Sequence, residues 1–62
     1  MNITEMKKVE DFYYKKGVTK ESVKELTLLQ LRALEDYALY EEDNTAYHII
    51  RQQIEKLKKE EN

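Results

Sequence analysis

The sequence predicts an all-α fold, a small domain of three to four helices built on an antiparallel helical hairpin. Three observations lead there. The 62 residues contain no Pro and a single Gly, too few punctuators for turn-rich β structure. Apolar residues recur at spacings of three and four along most of the chain. The two longest periodic runs flank the short acidic stretch Glu41-Glu42-Asp43-Asn44, which turns the chain back on itself. Helices are expected over 3–16, 20–25, 28–42 and 45–59, all within one domain spanning 1–62.

Residues 2–5 read as a capping box, with Asn2 accepting from a first-turn amide and Glu5 reaching back. Met6, Val9, Phe12 and Tyr13 then form one apolar stripe. Lys15 and Lys16 complement the C-terminal dipole, and Gly17 supplies the left-handed residue that ends a helix. Thr19 is placed to cap a short helix over 20–25, with Val23 and Leu26 inward; so short a piece exists only when docked.

Thr27 and Gln30 form a Thr-x-x-Gln capping box, and Leu26 with Leu31 a hydrophobic staple. Along the helix they open, Leu28, Leu31, Leu34 and Ala38 make one apolar face, and Leu29, Ala33, Tyr37 and Tyr40 a second. A helix apolar on two sides needs two neighbours. The last helix covers one; the N-terminal helix or an outside partner covers the other. Asp43 or Asn44 caps the last helix. Ala46, Ile50, Gln53 and Leu57 run down its centre, Tyr47, Ile49 and Ile54 flank them, and His48, Arg51, Gln52, Glu55, Lys58 and Lys59 face out.

The hairpin resembles the UVR motif, a helical hairpin of bacterial excision-repair proteins and chaperone-linked adaptors. The matching residues are Leu31, Leu34 and Ala38, the acidic turn Glu41-Glu42-Asp43, then Ala46, Arg51, Ile54 and Leu57. Gln52 stands where the family has Asp, and Tyr47 where it has a second small residue. The resemblance covers the second half of the chain. It implies a protein–protein docking element, with Arg51 singled out; convergence on a stable hairpin is the alternative.

Composition narrows the function. Eleven basic and thirteen acidic residues give a net charge of −2, with a pI near 5.4. Nucleic-acid binders usually carry a basic face and a high pI, so direct nucleic-acid binding is disfavoured. No Cys is present, hence no disulfide or thiolate metal site, and one His makes neither a metal cluster nor a triad. No catalytic, metal or cofactor residue is assigned, and no enzyme activity is expected. With neither an apolar leader nor a membrane-length apolar run, the chain reads as cytoplasmic, without membrane association.

Tyr is over-used: five against one Phe and no Trp. Tyr suits recognition surfaces, where the ring buries area and the hydroxyl stays hydrogen-bonded, and it equally suits the half-buried positions of a small core. The candidate protein-binding residues are Leu29, Ala33, Tyr37, Tyr40, Tyr47 and Arg51. Arg51 grips a partner carboxylate or pairs with Glu55 one turn on. The expected function is a small non-enzymatic adaptor that docks by helix packing onto a larger protein, as a bacterial or phage accessory factor controlling a nucleic-acid enzyme such as a repair nuclease or recombinase. The alternatives are a helix-turn-helix-like DNA-binding regulator and a structural homo-oligomer such as a homodimer.

Overall fold

A computed structural model describes residues 3–61, with side chains from Met6 to Glu60. Three helices form the domain, and no strand occurs among the described residues. Helix α1 runs Ile3–Asp11 and continues as a π-helical turn, Phe12–Lys16. A 3-10 turn, Ser22–Glu25, leads to α2, Leu28–Tyr40, and then α3, Asn44–Glu61. The cap expected of Asn2 and Glu5 lies outside the described side chains.

Gly17 ends the first helical segment at φ 85°, and its N–H donates to the Phe12 carbonyl at 2.9 Å, five residues back. That spacing is the π hydrogen bond, which widens the last turn. The turn brings Tyr13 and Tyr14, adjacent in sequence, to the same end of α2, where their hydroxyls find different partners.

The connector is held by its single Ser. Thr19 Oγ1 accepts from the Ser22 N–H and Ser22 Oγ from the Thr19 N–H, both at 2.9 Å, a reciprocal box with Ser in place of Glu or Gln. The Ser22 hydroxyl in turn donates to the Gly17 carbonyl at 2.8 Å. Ser22 is therefore buried but fully satisfied, and it ties the connector to the end of the first helical segment. The helical turn is shorter than 20–25 because residues 19–21 are consumed in this box.

Helix α2 begins as expected. Thr27 Oγ1 accepts from the Gln30 N–H at 3.2 Å, and Gln30 Oε1 accepts from the Thr27 N–H at 2.9 Å. Its other end stops at Tyr40 rather than 42. The Asp43 N–H donates to the Ala38 carbonyl (2.9 Å) and the Glu42 N–H to the Leu39 carbonyl (3.1 Å), with Glu42 left-handed at φ 57°. This is a Schellman closure with Glu in the place usually taken by Gly. Asp43, not Asn44, caps α3: its Oδ1 accepts from the Ala46 N–H at 3.1 Å.

So short a link forces α2 and α3 antiparallel. Near the turn the buried faces carry the small residues Ala38 and Ala46, which let the backbones approach; farther on, Leu31 and Leu34 meet Ile50 and Ile54. Ile54, expected on the flank, is completely buried, while Gln53 is only half-buried. The buried arc of α3 thus follows Ala46, Ile50 and Ile54 at four-residue spacing. Val9 of α1 and Val23 of the connector close the core, with Met6, Phe12 and Tyr13 packed against it.

Helix α1 settles which neighbour covers the second face of α2. Ala33 and Tyr37 are buried, at 3% and 8% exposure. At 100° per residue, Ala33, Tyr37, Leu34, Ala38 and Leu31 fill one continuous arc of about 160°, not two opposed faces. Leu29 and Tyr40 sit on the rim of that arc.

Candidate functional site

The tip of the molecule, where the π turn meets the C-terminal end of α2, is an aromatic cluster. Tyr13 packs edge-to-face on Tyr14 (centroids 5.1 Å apart) and on Tyr37 (5.2 Å). Tyr14 stands edge-on to Tyr37 at 6.2 Å, and Tyr40 lies tilted beside Tyr37 at 6.1 Å. Both arrangements suit ring quadrupoles. Tyr37 is the buried centre, whereas Tyr14 and Tyr40 are 61% and 79% exposed.

The hydroxyls anchor the cluster. Tyr13 donates to Asp43 Oδ2 at 2.5 Å, and Tyr37 donates to the Tyr14 hydroxyl at 3.2 Å. The bond to Asp43, with burial and the negative charges of Asp43 and Glu41, pushes the Tyr13 phenol up to about 12. The hydrogen bond to Tyr14 raises Tyr37, assisted by burial and by the charges of Glu41 and Glu10. Asp43 moves the other way: the Tyr13 hydroxyl first, then the backbone N–H groups of Ala46 and Thr45, hold its carboxyl below the ordinary range.

Carboxylates border the aromatic patch on its α2 side, while Lys15 and Lys16 follow Tyr14 directly. From Ala33 to Tyr47 the chain has Glu35, Asp36, Glu41, Glu42 and Asp43 and no Lys or Arg. Glu35 pairs with Arg51, and Asp43 is engaged by Tyr13 and the α3 cap. Asp36 lies one turn before Tyr40 on the exposed rim of α2, and Glu10 one turn before Tyr14 on α1. Among the described residues Glu10, Asp36, Glu41 and Glu42 have no cation within 4 Å, as is true of Asp11, Asp43 and Glu60, whereas Glu21, Glu25, Glu35 and Glu55 each have one.

The six residues expected to bind a partner do not form one surface. Ala33 and Tyr37 belong to the core, because α1 and its π turn cover them. Leu29 and Tyr40 are exposed on the same rim, but eleven residues of helix put them about 16 Å apart. Tyr47 is half-buried against the core. Arg51 bridges the hairpin: Nη1 donates to Glu35 Oε2 at 3.0 Å and Nη2 to Glu55 Oε1 at 3.2 Å. Glu35 lies about 140° around α2 from Tyr40, so Arg51 serves a different face.

The Glu55 pairing was legible from its i, i+4 spacing; the tighter one to Glu35 was not, since it depends on the hairpin register. Tyr14 was also missed as part of the patch. It falls off the 3.6-residue stripe of α1, and only the π turn aims it at Tyr37. A cavity of about 120 Å³ between α1 and α2, lined by Val9, Phe12, Leu26 and Leu34 with Lys8 and Gln30 at its edge, is apolar and carries no catalytic grouping. Among the described residues no three His, Cys, Asp or Glu side chains converge well enough to hold a metal ion. No described helix is long and apolar enough to cross a membrane. Comparisons with protein-family models, curated proteins and solved structures give no match to this chain.

Proposed function

We propose that this chain is a small non-enzymatic adaptor of the cytoplasm that docks onto a larger protein through the tip of its helical hairpin. The observation that carries this reading is Tyr40. It stands 79% exposed on the rim of a well-capped helix, beside a second exposed ring, Tyr14, in a domain that packs its other aromatic side chains. Exposed aromatics held in place by a rigid core are what anchors of a protein interface need, because little side-chain freedom is lost on binding. The resemblance of the second half to the UVR hairpin supports the same class, an accessory factor of bacterial or phage origin that controls a nucleic-acid enzyme. Since Arg51 is engaged within the hairpin, the docking role passes from Arg51 and Tyr37 to Tyr40 and Tyr14.

The test is affinity capture from a nuclease-treated lysate, with the wild type beside Tyr40→Ser. Tyr40→Ser removes a 79% exposed ring whose one aromatic contact is with Tyr37, so its thermal midpoint stays near the range usual for surface substitutions. One stoichiometric protein retained by the wild type and lost by the variant sustains the reading. Identical lanes, or an empty lane from a chain that sediments as a dimer, overturn it.

A further inference from the structure

Resting on that docking reading, we infer that the surface formed by Tyr14 and Tyr40 is a seat for a cationic segment of the partner, a stretch bearing at least two Arg or Lys side chains. One cation lies over the Tyr40 ring, and its neighbours meet Asp36, Glu41 and Glu10. The two exposed rings each pack about 6 Å from the buried Tyr37 ring, which links them into one aromatic cluster. A ring face this open accepts a guanidinium or ammonium directly.

The charges around the rings select the sign of the occupant. Glu10, Asp36, Glu41 and Glu42, none with a cation within 4 Å, lie along this edge of the molecule, where Glu41 and Glu10 act on the Tyr37 ring. The C-terminal end of α2, at Tyr40, adds the negative pole of its dipole to the same field. Phosphates are repelled from such a surface, which sets nucleic acid aside as its occupant. The acids are spread around the rings rather than converging on a point, and no metal-holding group exists among the described residues. A distributed array of organic cations fits where a single ion does not. A second copy of this chain is a poorer fit, because each copy carries a net −2 and like-charged copies repel.

The probe is octa-arginine peptide titrated into the ¹⁵N-labelled full chain, with octa-lysine and octa-glutamate in parallel. Saturable shift changes concentrated at Tyr14, Asp36, Tyr40 and Glu41, stronger for octa-arginine than octa-lysine, absent with octa-glutamate and weakened by salt, are expected. Tyr40→Ser weakens octa-arginine binding roughly three- to tenfold with the spectrum otherwise native. Asp36→Asn/Glu41→Gln weakens it comparably and flattens its salt dependence. Shifts spread evenly over exposed acids such as Glu21, Glu25 and Glu60, or affinity unchanged by Tyr40→Ser, overturn the inference, as does self-association that maps to the same residues. If the peptides fail while the lysate protein is still captured in a Tyr40-dependent way, the adaptor reading stands and only the cationic occupant falls.

Discussion

The Tyr13 hydroxyl donates to one oxygen of Asp43, 30 residues away, while the other oxygen of that carboxylate caps the first turn of α3. One side chain thus starts the last helix and receives the first. Replacing it removes both functions. Asp43→Ala destabilises by about 1–2 kcal/mol through the cap alone, with the Tyr13 anchor lost besides. Asp43→Asn keeps an oxygen for the cap and sacrifices the charge-assisted bond, so it costs less. Urea midpoints of the two variants, with Tyr13→Phe in a double-mutant cycle, separate cap from anchor: a coupling energy between Tyr13 and Asp43 indistinguishable from zero refutes the double role.

The same pair sets the pH limits of the fold. The carboxyl of Asp43 is lowered in the folded chain, so its contribution is present above its unfolded value near 3.8 and is lost as pH falls below that. The Tyr13 phenol is raised from 10.0 to about 12, so its contribution is full below pH 10 and is lost as pH rises from 10 towards 12. After allowance for solvent screening the alkaline loss amounts to about 1 kcal/mol. Urea melts at pH 3, 7 and 11 show both limbs in the wild type. In Tyr13→Phe the alkaline limb keeps only what Tyr37 contributes and the acid limb shrinks, since the Tyr13 hydroxyl is the largest influence on Asp43.

Glu42 occupies a left-handed backbone position at the close of α2, φ 57°, without the freedom of Gly. Glu42→Gly therefore stabilises the domain by about 0.5–1 kcal/mol, the relief of a left-handed non-Gly residue less the added freedom of the unfolded chain. A rise of several degrees in the thermal midpoint is the readout. A fall shows that the Glu42 side chain contributes more than its backbone costs.

Arg51 holds two carboxylates of unequal exposure: the Glu35 side chain is 14% exposed and that of Glu55 is 54%. The Arg51–Glu35 coupling exceeds the Arg51–Glu55 coupling in double-mutant cycles, and it survives added salt better because fewer ions reach it. Equal couplings with equal salt dependence dismiss Glu35 as the main partner.

Local signals in the sequence located much of this fold. Thr27 with Gln30 places the start of α2 because both halves of the box lie within one turn, and Gly17 ends the first helical segment because no other residue there tolerates the conformation. Signals fail where the deciding partner is remote or the residue atypical. Glu42 gives no sign of a left-handed closure, so α2 was expected to run two residues too long. Ser22 reciprocates Thr19 where a Glu or Gln is the usual cue. The burial of Ala33 and Tyr37 depends on α1 being the neighbour that covers them, which the pattern of α2 leaves open. The tip surface is half legible: Tyr40 falls on an apolar face of α2, while Tyr14 needs a π turn that no periodicity announces.

The three-residue link between α2 and α3 also fixes an order of events. Closing so short a loop costs little chain entropy, so the hairpin assembles early, whereas joining Tyr13 to Asp43 closes a loop of 30 residues and comes late. In refolding kinetics, Ile50→Val slows folding, whereas Val9→Ala on α1 leaves the folding rate nearly unchanged and speeds unfolding. Helix α1, made before α2 and α3, is thus the last of the three to find its place, and a nascent chain holds Ala33 and Tyr37 uncovered until Asp43 has been synthesised and α3 has begun.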